Sequence, residues 1–371
     1  MMKFSCEKAL LQSAINVASR TVAQKSSIPA LEGLLLQTGS DLTISGYNMQ
    51  TGIRTTVSAD VSAEGEIVLN ARLFGDIIRK MPDDVVVFTA DDRQMVHLSC
   101  GDADFDILGL SAADYPELPV VEDDYGFAMQ QKVLRDMIEQ TSFAVSTNES
   151  RPVHTGALFE IADSGLSMVA VDGFRLAYRK EPLERLEGGA FSFVAPGNAL
   201  NEVQKICEES DDLAEVTLGR RHILFTVGGT QLICRRLEGE FLDYRNAIPR
   251  KNPIAVTVET RALINSIDRV SVVISDKLKS PVRCTFDHDK VMLSAKTGNG
   301  EAKDVCRIMG DGNGLEIGFN TRYLIDALRY APADAVRIEL NTGVSPAIIV
   351  PVDGQDHFLY MVLPVRLKAS E

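Results

Sequence analysis

Apolar residues recur at helical spacing in six stretches of the chain, and short apolar runs bounded by turn residues separate them. In residues 8–20, Leu11, Ile15 and Ala18 fall on one face of a helix, and residues 72–81 repeat the pattern. This spacing predicts amphipathic helices, whereas the short runs predict strands. The other four helices are predicted at residues 132–143, 198–208, 261–272 and 322–331. The predicted class is therefore α+β, with hairpin-length turns that favour antiparallel sheets.

The order of these elements occurs three times along the 371 residues. Aligning the second helix of each copy puts Phe74, Leu200 and Leu324 in one column, with spacings of 126 and 124 residues. A period this long exceeds that of solenoid repeats, so each copy should be a domain with its own core. We expect three similar domains at residues 1–125, 126–250 and 251–371, each with two helices packed on antiparallel sheets.

One strand of the second copy leads into an unusual turn. Residues 170–177 run from apolar residues into Asp172 and Gly173 and continue with Phe174 and Arg175. An Asp-Gly pair between apolar runs is typical of a β-hairpin turn. Whether the turn is only a hairpin, or also presents a binding surface, stays open from the residues alone.

Charge is distributed unevenly between the predicted helices and the rest of the chain. The whole chain has a formal net charge of −14, which by itself argues against a nucleic-acid partner. The six predicted helices nevertheless contain 12 basic and 7 acidic residues, a net charge of +5, which leaves −19 elsewhere. Ordinary solvated helix faces would explain any one helix. Equivalent helices gathered on one side of three similar domains could instead bind a polyanion.

Motifs for catalysis or metal binding are not evident. The five histidines are far apart, the glycine-rich stretches lack the Lys-Ser or Lys-Thr of a phosphate-binding loop, and no serine lies in a nucleophile elbow. We therefore expect a binding scaffold with no catalytic residue, no metal and no cofactor. The six cysteines are scattered as reduced thiols usually are, and no apolar run reaches 18 residues. These features predict a cytoplasmic protein without a membrane partner.

Four features together indicate a family resemblance: the threefold repeat, residues 170–177, the segment 239–245 and the terminal Leu-Pro-Val-Arg-Leu at 363–367. In this order they resemble the bacterial sliding clamp, the beta subunit of DNA polymerase III, over essentially the whole chain. The resemblance implies the DNA-clamp fold and a head-to-tail homodimer that closes a ring around duplex DNA without sequence specificity. It also implies processive synthesis by a tethered replicative polymerase. The polymerase, the clamp loader and repair proteins would bind through short linear peptides.

The resemblance further implies a peptide-binding cleft between the second and third domains, with apolar pockets for a Leu or Phe of the peptide. Phe174, Leu242 and the pair Asn246-Ala247 depart from the family's frequent residues, which leaves the preferred peptide sequence open. Carried over by position, the cleft would consist of Leu158, Val171, Gly173, Phe174, Arg175, Leu176, Leu242, Asn246, Ala247, Met361, Leu363, Pro364, Val365 and Arg366.

DNA and dimer contacts follow partly from the resemblance and partly from charge. The resemblance implies DNA contacts at Lys25, Asn148 and Arg151, and a dimer contact between Phe105 and Ile107 of one chain and Val273, Ile274 and Leu278 of the other. The helix charges add further candidate phosphate contacts at Arg20, Arg72, Arg79, Lys80, Lys205, Arg269, Arg322 and Arg329.

Two other interpretations compete with a clamp. A peptide-binding adaptor of the same fold with no DNA role would leave the helix charges as solvated faces. An enzyme with an unrecognised site at Asp172 is the third. Reversing the charges of Arg72, Arg79 and Lys80 should impair processive synthesis only for a clamp.

Overall fold

A computed structural model of the protein describes residues 1–121, 125–274, 280–298 and 300–367. The chain divides into two units, which are described separately. The first comprises Met1–Arg135, Glu184–Gly189 and Asn198–Arg236. The second comprises Asp136–Leu183, Ala190–Gly197 and Leu237–Glu371.

The six predicted helices are all present, with ends within two residues of the prediction. A further helix of one turn, α5, was not predicted. The helices are α1 (Lys8–Ala18), α2 (Ala71–Lys80), α3 (Gln131–Ser142), α4 (Gly197–Ile206), α5 (Tyr244–Ala247), α6 (Thr260–Ser271) and α7 (Thr321–Arg329).

The strands of the described residues are short. They are β1 (Met2–Glu7), β2 (Gly33–Thr38), β3 (Leu42–Tyr47), β4 (Thr51–Val57), β5 (Asp60–Ala63), β6 (Gly65–Asn70), β7 (Val85–Ala90), β8 (Met95–Cys100), β9 (Ala103–Leu108), β10 (Tyr125–Gln130), β11 (Gly156–Ala162), β12 (Gly165–Val171), β13 (Arg175–Glu181), β14 (Arg185–Glu187), β15 (Phe191–Pro196), β16 (Leu213–Leu218), β17 (His222–Val227), β18 (Thr230–Arg235), β19 (Ile254–Glu259), β20 (Val282–Phe286), β21 (Lys290–Thr297), β22 (Gly300–Arg307), β23 (Leu315–Phe319), β24 (Ala335–Leu340), β25 (Ala347–Pro351) and β26 (Phe358–Val362).

The first unit contains two antiparallel sheets. One has five strands in the order β5-β1-β7-β8-β9, and the other has nine in the order β14-β10-β16-β17-β18-β4-β3-β2-β6. Strand β18 pairs with β4, from Thr230 opposite Thr55 to Cys234 opposite Thr51. The first and second sequence copies therefore share one continuous sheet within this unit.

Helices α1 and α2 pack on the sheets of the first unit because their apolar residues fall on one face. Leu11, Ile15, Phe74 and Ile78 lie in a single buried cluster with strand residues such as Phe4. Burial of such side chains is the main favourable term in folding. The side chain of Asn70 caps α2 by accepting a hydrogen bond from the Leu73 amide at 3.0 Å.

The second unit repeats this organisation. Its sheets have eight strands in the order β15-β11-β12-β13-β26-β25-β24-β19 and four in the order β22-β21-β20-β23. Strand β13 pairs with β26, so the second and third sequence copies share a sheet here. The three residues aligned by the sequence repeat have equivalent burial, since Phe74, Leu200 and Leu324 are each no more than 2% exposed.

Candidate functional site

The turn at residues 172–175 is a hairpin that joins β12 to β13. Val171 lies opposite Leu176, and Gly173 has a φ of +88°, a conformation that glycine adopts without the cost a side chain would add. The Asp172 carboxylate accepts hydrogen bonds from the amides of Phe174 at 2.9 Å and Arg175 at 3.0 Å. Asp172 thus fixes the turn and leaves the Phe174 side chain 57% exposed.

Arg175 lies inside the protein rather than at its surface. Its guanidinium donates to Asp172 Oδ2 at 3.0 Å and to Asp326 Oδ2 at 2.6 Å, and the residue is 7% exposed. Its Cζ also lies 4.6 Å from the ring centre of Tyr323 and 5.3 Å from that of Phe143. Contact of this side chain with a peptide stays a prediction. Its charge is already neutralised by two carboxylates, so Arg175 holds the turn against α7.

An apolar surface of the eight-stranded sheet lies beside this turn. Val171, Leu176 and Met361 are neighbours across β12, β13 and β26 and are at most 7% exposed. Leu158 is half-buried and packs against the same cluster. We name the surface formed by these four residues the cleft floor. Leu176 is 1% exposed and lies at the base of this floor.

The segment after β26 is held beside the turn by backbone hydrogen bonds. The Leu363 amide donates to the Phe174 carbonyl at 2.9 Å, and the Val365 amide donates to the Gly318 carbonyl at 2.8 Å. A Cβ at Gly318 would lie 2.7 Å from the Val365 oxygen, so glycine permits this approach. Leu363, Pro364 and Val365 are half-buried, and Arg366 is exposed.

Residues 241–248 lie over the other part of the cleft floor. Tyr244 is 4% exposed and packs in the same cluster as Leu176 and Met361. Its hydroxyl donates to Glu160 at 2.5 Å, and burial together with this contact raises the tyrosine pKa. Leu242, Asn246 and Ala247 remain exposed on either side of it.

Sequence reasoning missed several residues around the cleft floor. Tyr323 stacks on Phe174 with ring centres 5.8 Å apart, and His154 meets the edge of Phe241 at 5.4 Å. Tyr244 was part of a quoted motif, so its position could have been found. Tyr323 gave no signal, because it approaches Phe174 only after α7 packs against the turn.

The predicted DNA contacts on helices are largely paired with acids. Arg20 lies in a 3-10 turn after α1, because the Thr21 hydroxyl donates to the Ala18 carbonyl where the helix ends. The nitrogen-to-oxygen distances of the paired cations are 3.9 Å for Arg20 to Glu202, 2.5 Å for Arg79 to Asp76, 2.7 Å for Lys205 to Glu202, 2.5 Å for Arg269 to Asp304 and 3.8 Å for Arg322 to Asp326.

The remaining predicted DNA contacts are exposed. Within the part of the chain that the structure describes, Arg72, Lys80 and Arg329 have no carboxylate oxygen within 4.0 Å. Lys25 lies in the loop after α1. Asn148 and Arg151 share one turn, in which the Arg151 amide donates to the Asn148 carbonyl at 3.4 Å.

The predicted dimer contact falls at a sheet edge. Strand β9 is the last strand of the five-stranded sheet, and Phe105 and Leu108 are 36% and 68% exposed. Ile107 is instead half-buried against the core. Val273 and Ile274 are half-buried after α6, and Leu278 lies outside the described residues.

Comparison with known proteins decides the family. Models of the N-terminal, central and C-terminal domains of the DNA polymerase III beta subunit match residues 2–119, 128–243 and 245–366. The beta sliding clamp of Halalkalibacterium halodurans is 31% identical over 98% of this chain and 100% of its own length. The chain belongs to the DNA polymerase III beta subunit family.

Solved structures of this family agree with the fold. The sliding clamps of Bacillus subtilis and Pseudomonas aeruginosa are each 26% identical to the chain, with TM-scores of 0.94 and 0.93. Each comparison covers 99% of this chain and 100% of the other. The three-domain clamp fold that the resemblance implied is thereby confirmed.

Family membership also establishes the function at the level of the family. The chain is a DNA sliding clamp for polymerase processivity, and its partners are a second copy, duplex DNA and the polymerase. An adaptor without a DNA role is not favoured. No helix among the described residues is long and apolar enough to cross a membrane.

Proposed function

We propose that the clamp binds partner peptides on the cleft floor, between the exposed side chains of Phe174 and Leu242. The observation that supports this site is an apolar sheet surface beside a turn with a fixed shape. Asp172 and Arg175 hold the turn, while Phe174 and Leu242 remain 57% and 44% exposed. Apolar side chains next to fixed backbone groups suit capture of a short peptide.

Binding of a labelled polymerase peptide, followed by fluorescence anisotropy, tests the cleft. Phe174→Asp and Leu242→Asp should each weaken binding at least about tenfold, which corresponds to about 1.4 kcal/mol. Met309→Asp is the matched control, because Met309 is 69% exposed in the same unit and lies outside the proposed cleft. Equal affinities for all three variants and the unchanged protein would exclude this site.

We further propose that exposed helix cations and the two loops make the DNA contacts. Arg72, Lys80 and Arg329 are exposed, and the loop residues Lys25, Asn148 and Arg151 are too. Unpaired cations contribute more to phosphate binding than cations already neutralised by an acid. Contact with phosphates alone would leave the ring free to slide.

The dimer is proposed to form by pairing of two sheet edges. Strand β9 presents Asp104 and Asp106 at one edge, and β22 presents Lys303 and Arg307 at the edge of the four-stranded sheet. Like charges disfavour β9 against itself, whereas β22, which also carries Glu301 and Asp304, has no net charge and is the more favourable partner. Head-to-tail contacts of this kind give a closed ring when the rotations from one chain to the next add up to a full turn. Light scattering should give twice the 40.5 kDa of one chain at micromolar concentration, and a mass of one chain would refute the ring.

We propose that the boundaries between the three domains lie at residues 125/126 and 250/251. The family matches end at residue 119 and resume at 128, which supports the first boundary, and they end at 243 and resume at 245, a few residues before the second. We also propose that the clamp acts without catalysis or a cofactor, in the cytoplasm.

A further inference from the structure

An apolar pocket lies beside the cleft floor, on the same face of the sheet. Its volume is about 300 Å³, at the lower end of the range for ligand pockets. None of its lining residues belongs to the predicted cleft. Its apolar lining consists of Tyr178, Tyr244, Ile248, Val350, Phe358 and Leu359.

Strand register relates this pocket to the cleft floor. Leu176 pairs with Met361 in the cleft floor, and Tyr178 pairs with Leu359 in the pocket. The two pairs are therefore two residues apart along β13 and β26, or about 6.6–6.8 Å. Alternate residues of an extended peptide have the same spacing, so one peptide could place a side chain at each position.

Packing makes the two sites continuous. Tyr178, Val350 and Leu359 pack against the buried cluster that contains Leu176 and Met361. Tyr244 belongs to that cluster and also lines the pocket, with its ring centre 6.1 Å from that of Tyr178. Because Glu160 binds the Tyr244 hydroxyl, this ring is a fixed boundary between the two sites.

Both arginines at the pocket rim are already paired with acids, and the exposed Asp356 carboxylate lies 3.9 Å from Lys180. Arg245 donates to both oxygens of Glu160 at 3.1 and 2.6 Å, and Arg337 donates to Glu339 at 2.8 Å. These pairs leave no uncompensated arginine to select an acidic ligand. The half-buried apolar and aromatic surface instead favours an uncharged apolar side chain.

We propose that this pocket is an additional docking pocket for partner peptides. It takes one aromatic or aliphatic side chain, two residues along the peptide from the residue on the cleft floor. The inference rests on the proposed cleft and deepens it, because it extends the recognised peptide beyond a single apolar anchor.

Fluorescence anisotropy with lengthened peptides tests the proposal. The probes are a short polymerase peptide that carries its Leu or Phe anchor, and the same peptide extended by two residues past the anchor on either side. The outer added residue is Phe in one set and Ala in the other. For the extension on one side of the anchor, the peptide that ends in Phe should bind at least about fivefold more tightly than the peptide that ends in Ala. Equal affinities at both ends would overturn the proposal.

A variant that fills the pocket with a long side chain tests the same proposal from the protein's side. Val350→Arg should reduce the Phe-to-Ala affinity ratio to about one, whereas Val352→Arg should leave it unchanged. Val352 is 45% exposed, follows β25 and does not line the pocket. A ratio that survives in Val350→Arg would place the added residue elsewhere and refute the pocket.

Photo-crosslinking on the unchanged protein keeps the test independent of variant folding. With benzoylphenylalanine as the outer added residue, crosslinks should map to residues 244–248 or 355–359. Crosslinks confined to other segments would overturn the pocket. If the short peptide does not bind at all, the proposed cleft fails, and the pocket fails with it.

Discussion

Arg175→Ala is the substitution whose effect follows most directly from the structure. It removes the cation that pairs with Asp172 and Asp326, whose side chains are only 13% and 14% exposed. Removal of one partner from a buried ion pair typically costs about 3–5 kcal/mol, because the remaining charge is left uncompensated. The ring contacts with Tyr323 and Phe143 are lost as well. Arg322 stays 3.8 Å from Asp326, and two backbone amides still bind Asp172, so we expect a loss of unfolding free energy at the lower end of that range.

Arg245→Ala is the matched control. Arg245 also pairs with a carboxylate and lies over an aromatic ring, but its side chain is 64% exposed. Exposed pairs typically contribute about 0–1 kcal/mol. Urea unfolding followed by far-ultraviolet circular dichroism measures both variants without the need for tryptophan, which the chain lacks. A cost for Arg175→Ala no greater than that for Arg245→Ala would refute this reasoning.

The same cluster links stability to peptide binding. If Arg175 positions the turn through Asp326, then Asp326→Asn should weaken binding of the polymerase peptide although Asp326 lies outside the predicted cleft. Arg175→Ala should weaken binding too, in a protein that still dimerises. Unchanged peptide affinity in both variants would leave the turn as a hairpin without a binding role.

Three further predictions concern the DNA surface, the dimer edge and pH. Reversal of Arg72, Arg79 and Lys80 to glutamate should reduce processive synthesis in a primer-extension assay, with peptide binding unchanged. Arg307→Glu should raise the dimer dissociation constant measured by sedimentation, since it replaces a basic residue by an acidic one on the edge proposed to pair with the acidic strand β9. Burial and a nearby arginine lower the pKa of His154 from its ordinary 6.5, so its neutral form is favoured in the folded state. The unfolding free energy should therefore fall as the pH drops below about 6.5. Urea unfolding at several pH values measures this dependence, which should be weaker in His154→Gln.

Local periodicity was sufficient to predict the helices, and long-range packing was not predictable from it. The helix faces depend on apolar residues three or four apart, so α1 and α2 could be located within two residues. Asp326 is 151 residues from Arg175, and nothing near the turn indicated this partner. The pairing of Arg175 with Asp326 was therefore not predictable, whereas the hairpin itself followed from Asp172 and Gly173.

Helix charge was likewise only partly informative. The net count of +5 included Arg79 and Lys205, each of which pairs with an acid three residues earlier on its own helix. Arg269 pairs with Asp304, which is 35 residues away, so its neutralisation required the fold. A charge count locates a candidate DNA surface but does not tell which cations remain unpaired.

Topological linkage to DNA is the central property of a clamp, and one measurement tests it directly. The protein is loaded by its clamp loader onto nicked circular DNA, and the retained fraction is followed by gel filtration before and after linearisation. A closed ring should stay on the circle and slide off once the DNA has ends. Equal retention on circular and linear DNA would show simple adhesion and contradict the account.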